Sequence, residues 1–239
     1  TPTEGCVAMS EDNMLKLLTW LDPSKNPLII AGTESTLRMM ADGEAECHGL
    51  VDINNVNPDI AVDIRYSTEN NFTKRKVYPV NKCFLRRDAA SRLSTVHKEL
   101  KKMNLGLKVW DCYRPLSVQR AFWAIMPDER YVANPAKGSR HNRASAVDVT
   151  IVDASGSEIQ MPTGYDDFSE KAHRTYTDLP VQALDNSRLL ERLMKKEGFI
   201  PYPTEWWHFD DQDWEKGGIM DVPFERLLEA GCGKPEETR

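Results

Sequence analysis

Residues 145–151 read Ser-Ala-Val-Asp-Val-Thr-Ile, and this alternation constrains the fold more than any other stretch of the chain. Val147, Val149 and Ile151 fall on one side of an extended strand, with Ala146, Asp148 and Thr150 on the other. Such a strand has an apolar face to cover, and it turns Asp148 away from that face toward a polar site. A second strand is predicted over Glu205-Trp-Trp-His-Phe209, where Trp206 and His208 share one face and Trp207 and Phe209 the other. Helical periodicity surrounds these strands. Asp88 is predicted to cap a helix that runs to about Asn104, with Ala89, Leu93, Val96, Leu100 and Met103 inside and Gly106 as its stop. Residues 107–112 follow as a strand. Pro115 opens a helix with Val118, Ala121, Phe122 and Ile125 on its inner face. A further helix from about Asn186 to Lys196 carries Leu189, Leu190, Leu193 and Met194 and stops at Gly198. Helices and short strands without a repeating βαβ unit predict an α+β fold.

A chain of 239 residues suffices for one large domain or two small ones. Residues 1–47 hold one short amphipathic segment (Leu15, Leu18, Leu21) and no catalytic pattern, so they read as an N-terminal extension. Residues 48–230 read as the main domain and 231–239 as a frayed tail. The chain opens on Thr1 without a signal peptide, leaving a processed mature form and a trimmed fragment both open. A net charge of −6 offers no attraction to phosphate backbones or anionic membranes, which argues against a nucleic-acid partner. No stretch approaches the ~18–20 apolar residues of a membrane span. Cys6, Cys47, Cys83, Cys112 and Cys232 follow no regular spacing, so buried thiols are expected, with one disulfide as the alternative. Periplasm and cytoplasm, and the oligomeric state, stay open.

Two segments carry chemistry: Ser139-Arg-His-Asn-Arg-Ala-Ser-Ala-Val-Asp148 and Glu205-Trp-Trp-His208. A catalytic zinc takes three protein ligands from His and carboxylate and keeps a fourth position for water, whose pKa it lowers to about 7. His141, Asp148 and His208 supply the three ligands for one Zn2+ per chain. Glu205 supplies a carboxylate to move the proton. Neither His141 and Asp148, seven apart, nor Glu205 and His208, three apart, share a face of one regular strand. His141 is therefore expected on the loop leading into the first strand, and Glu205 at the start or a bulge of the second. The rival reading is a polar-lined strand beside a satisfied core histidine.

These segments resemble the Ser-x-His-x-x-Gly-x-Ala-x-Asp and Glu-x-x-His motifs of the D-alanyl-D-alanine dipeptidases of the vancomycin-resistance type. That is a zinc D,D-dipeptidase family in the wider Hedgehog/D,D-peptidase superfamily. Trp110-Asp-Cys-Tyr-Arg-Pro115 is similar to the family's Trp-Asp-Gly-Tyr-Arg-Pro. The stretches Asp63–Phe72 and Met161–Asp166 also resemble family segments, in the family's order, from about Val51 to Phe224. Ala144 and Cys112 stand where the motifs have glycine, and either carries strain if its site needs positive φ.

The resemblance implies a small, mainly antiparallel sheet flanked by helices, Hedgehog/D,D-peptidase-like. It implies hydrolysis of D-Ala-D-Ala to two D-Ala, a step in peptidoglycan metabolism, with a small dipeptide as the partner. Glu205 would act as general base and then acid, and Arg114 would stabilise the oxyanion; the rival role for Arg114 is a salt bridge with Asp111. Asp166 and Ser139 would hold the substrate's ammonium, and Tyr66 and Phe72 would line the pocket. His48, His97 and His173 read as structural or solvated. The alternatives are a zinc D,D-carboxypeptidase or endopeptidase on longer peptidoglycan peptides, and a non-catalytic zinc-binding module.

Overall fold

The strand predicted around Asp148 lies at the centre of a five-stranded sheet. A computed structural model describes residues 47–232. The segment with Leu15, Leu18 and Leu21, and residues 233–239, lie outside them. The strands are β1 (Leu50–Asp52), β2 (Ala61–Val62), β3 (Phe84–Arg86), β4 (Leu105–Asp111), β5 (Ala146–Asp153), β6 (Phe199–Pro201) and β7 (His208–Asp211). The helices are α1 (Arg87–Lys101), α2 (Leu116–Ile125), α3 (Val181–Lys196) and α4 (Phe224–Glu229), besides single helical turns. The larger sheet runs β2-β4-β5-β7-β6, and β1 pairs with β3 separately. Only β2–β4 is parallel in the larger sheet; its other pairs are antiparallel. The fold class is α+β, as expected.

Register does the positioning. Asp148 pairs with His208 across β5–β7, and with Asp111 across β4–β5 after an irregularity between Val109 and Asp111. All of β5 but its last residue is buried, because helices α1 and α3 pack against the sheet and aromatic side chains fill its surroundings. Trp110, Phe122, Trp206, Trp207 and Phe209 belong to the same buried cluster as Val147, Val149 and Ile151.

Several boundaries differ from expectation. Helix α1 starts straight out of β3, so Asp88 sits in its first turn rather than at the cap, where its charge still favours the helix N-terminus. The helix ends at Lys101, and Asn104 rather than Gly106 takes the left-handed turn, at φ 57°. Gly106 lies inside β4, where a Cβ would come 3.3 Å from the His97 ring. Met103 falls beyond the helix and is exposed. Helix α2 buries Gln119 and Phe122, while Ala121 and Ile125 face outward. Helix α3 begins directly after Pro180, and Asn186 is an interior residue whose side-chain amide donates to Gln160 O (2.8 Å). Strand β7 starts at His208, so residues 205–207 form a turn rather than its first half.

The cysteines correct the expectation of free thiols. Cys47 bonds to Cys232 and Cys83 to Cys112. The pairs span 185 and 29 positions, so no local spacing signals them. Cys6 lies outside the described residues. Among those residues, no helix is long and apolar enough to cross a membrane.

Candidate metal centre and active site

His141 lies in a 3₁₀ turn, His141–Arg143, on the loop leading into β5. Asn142 pins that loop: its side chain accepts from Ser139 N–H (2.7 Å) and donates to Arg114 O (2.8 Å). Arg114 N–H donates back to His141 O (3.1 Å). The loop turns into the strand through Ala144, at φ 54° and ψ 35°. That left-handed conformation costs a residue with a Cβ about 1–2 kcal/mol, so the strain considered for a non-glycine residue here is present. Cys112 is not a left-handed position; its special feature is the bond to Cys83.

His141, Asp148 and His208 converge as a buried group able to hold a metal ion. His141 Nε2 lies 3.2 Å from His208 Nδ1 and 3.5 Å from Asp148 Oδ1, and the latter two atoms are 3.0 Å apart. Ligands about 2.0–2.1 Å from a common tetrahedral centre have edges of about 3.3–3.4 Å, so the three atoms fit a zinc face. Their partners orient them. The other ring nitrogen of His141, Nδ1, meets Cys112 O at 2.6 Å, and the other ring nitrogen of His208, Nε2, meets Asp210 Oδ1 at 2.9 Å. Tyr165 O–H donates to Asp148 Oδ2 (2.8 Å), while Oδ1 is buried without a hydrogen-bond partner. A buried carboxylate oxygen left open toward two imidazole nitrogens calls for a cation.

The electrostatics make the same demand. Burial disfavours the Asp148 carboxylate, yet His141 and His208 outweigh it and hold the group well below the usual range. Burial also disfavours a charged His208, but the adjacent carboxylates of Asp148 and Asp210 lift it to about 10. The carboxylates thus draw a positive charge to this point.

The other predicted residues surround the same cavity. Tyr66, Phe72, Arg114, Ser139, Asp166 and Glu205 all line it. Glu205 Oε2 is 3.7 Å from His208 Nδ1. Burial pushes Glu205 up to about 7, opposed by His208 and reinforced by Asp148 and Asp166. Asp166 stands at φ 58° and accepts from Tyr66 O–H and Phe72 N–H, both at 3.0 Å. Burial raises it to about 7 against those two donors. Ser139 Oγ accepts from His141 N–H (3.2 Å).

The Arg114–Asp111 salt bridge is present at 2.6 Å, and Arg114 also donates to Gln119 Oε1 at 2.8 Å. It does not compete with a role in the cavity, because each terminal guanidinium nitrogen carries a second N–H. Phe122 and Tyr66 pack against the guanidinium, with ring centroids 4.8 and 5.4 Å from its carbon. Sequence reasoning missed Tyr165 and Asp210. Asp210 is signalled by the strand period, two residues beyond His208, whereas nothing local marks Tyr165. His97 lies away from the cluster, its Nδ1 accepting from Leu107 N–H (3.1 Å); His48 is exposed.

Two imidazoles and a carboxylate, brought together by a loop and two paired strands beside a further acid, define a metallohydrolase site. The chain belongs to peptidase family M15, whose model, described as D-Ala-D-Ala dipeptidase, matches residues 46–225. It is accordingly a metallopeptidase. The D-alanyl-D-alanine dipeptidase of Escherichia coli K12 is 33% identical over 161 residues, covering 67% of this chain and 83% of that protein. The enzyme of the same name from Enterococcus faecalis V583 is 29% identical over 183 residues, covering 68% and 87%. That from Enterococcus faecium is 30% identical over 168 residues, covering 62% and 83%.

Proposed function

We propose that this chain is a zinc dipeptidase that hydrolyses D-Ala-D-Ala to two D-Ala. The observation that carries the reading is the Asp148–His208 register, which with His141 leaves three ligand atoms facing one point on a cavity lined by Glu205, Arg114 and Asp166. A zinc ion held by His141 Nε2, Asp148 Oδ1 and His208 Nδ1 would supply Lewis acidity and make water nucleophilic near neutral pH. Glu205, with its raised pKa, takes the proton from the attacking water and delivers it to the leaving amine. Arg114, already neutralised by Asp111 and fixed between rings, turns its remaining N–H groups to the oxyanion and needs no reorganisation to do so. Asp166 pairs with the substrate ammonium, with Ser139 beside it, and Tyr66 and Phe72 form the wall.

The desolvated carboxylate of half-buried Asp166 favours a free dipeptide over a longer peptide. An ammonium pairs with it, whereas the amide of an extended chain leaves it without a countercharge at a cost of ~3–5 kcal/mol. A non-catalytic zinc module has no use for Glu205 and Arg114 together. The disulfides favour an oxidising compartment such as the periplasm over the cytoplasm.

Zinc content measured alongside hydrolysis of D-Ala-D-Ala, L-Ala-L-Ala and a pentapeptide ending in D-Ala-D-Ala tests the reading. Stoichiometric zinc with preferred turnover of the D,D-dipeptide is expected. Preferred cleavage of the pentapeptide would replace it with a carboxypeptidase.

A further inference from the structure

Two charged groups line the cavity beside the ligand cluster, Asp166 and Arg140. Asp166 is held by Tyr66 and Phe72. Elsewhere in its lining, His208 leads through Asp210 to Arg140. Of the arginines lining this cavity, Arg114 is held by Asp111 and Gln119 and has its remaining N–H groups assigned to the oxyanion, and Arg130 pairs with Asp128 on the exposed rim. Arg140 differs. Its Nε is buried without a hydrogen-bond partner, and the nearest carboxylate oxygen, Asp210 Oδ2, is 3.5 Å away. The other oxygen of Asp210 is taken up by His208. The guanidinium carbon lies 4.5 Å from the centroid of the Trp214 ring, so stacking holds the cation in place while its hydrogen-bonding edge is unspent.

We propose that Arg140 binds the free α-carboxylate of the substrate's C-terminal residue. This rests on the dipeptidase reading above and adds the second half of its specificity. A planar guanidinium fork matches a carboxylate, and one anchored by stacking loses little freedom on binding it. With Asp166 on the ammonium and Arg140 on the carboxylate, the site recognises both charged ends of a dipeptide. Extension at either end then removes a charge that the protein is built to meet.

The test compares kcat/KM of the zinc-loaded enzyme for D-Ala-D-Ala and for its C-terminal carboxamide, in wild type, Arg140→Lys and Arg140→Gln. Wild type should prefer the free acid. In Arg140→Gln, kcat/KM for the acid should fall roughly 10–100-fold, mainly through KM, while the carboxamide changes by less than ~2-fold, so the preference collapses. Arg140→Lys should retain part of the preference, because the charge remains. If both substrates fall together in Arg140→Gln, with or without loss of zinc, the proposal is overturned and Arg140 acts by supporting His208 through Asp210. An unchanged acid-to-amide ratio also overturns it, with the dipeptidase reading intact. A zinc-loaded wild type that cleaves neither substrate overturns the dipeptidase reading itself, and this assignment with it.

Discussion

Asp166→Asn should make this protein more stable, and do so only above a certain pH. Asp166 is half-buried, and desolvation raises it from 3.8 to about 7. Between those values the folded protein holds a proton that the unfolded chain releases, so stability falls as pH rises from about 4 to about 7 and stays low above. A shift of about three pH units at 1.36 kcal/mol each makes the penalty at pH 8 roughly 4 kcal/mol. Asparagine removes the charge and keeps the shape. Its carbonyl accepts from Phe72 N–H, the Tyr66 hydroxyl turns from donor to acceptor for its amide, and it tolerates φ 58°. Urea unfolding in EDTA at a series of pH values should show a gain of a few kcal/mol at pH 8, shrinking toward zero at pH 4. The same variant should lose kcat/KM for D-Ala-D-Ala and discriminate less against its N-acetylated form. A gain independent of pH, or a loss of stability at pH 8, would refute the account of Asp166 as a strained carboxylate awaiting a cation.

Other expectations follow from the metal cluster and the disulfides. His208→Ala removes one of the three ligand atoms, so zinc measured by metal analysis and turnover should fall together; stoichiometric zinc with normal turnover would exclude His208 as a ligand. Glu205→Gln should keep its zinc while kcat falls ~10²–10⁴-fold, and loss of zinc instead would make Glu205 a ligand. Asp210→Asn weakens the partner that orients His208, and zinc affinity in chelator competition should drop roughly 10–100-fold; an unchanged affinity would mean β7 alone orients the ring. Replacing Cys47 and Cys232 together by serine opens a loop spanning 185 positions. Chain entropy puts the cost near ~5 kcal/mol, and an unfolding midpoint equal to wild type would show that the ends are held by packing.

Local pattern reached the candidate ligands but not what aligns them. Val147, Asp148 and Val149 declare a strand by period alone, and the motif spacing rightly forced His141 onto the loop before it. The register that sets Asp148 against His208 joins residues sixty positions apart, and no window of sequence contains it. The disulfides were hidden for the same reason. Element ends failed where a neighbour overrode propensity: β3 feeds α1 without a cap, and Asn104 takes the turn that Gly106 seemed made for, because Gly106 is needed against His97. Glu205 stands in a turn because β7 can start only where its pairing with β5 starts.

Cys47 and Cys232 have Cα atoms 5.4 Å apart, so the described residues begin and end at nearly one point. A tension applied through the flanking segments would cross the covalent sulfur bridge and leave the sheet between them unloaded. The register that sets Asp148 against His208 would therefore hold under a pull that unzips a domain loaded through its strands. Mechanically, the described chain is a closed ring fastened by a single link.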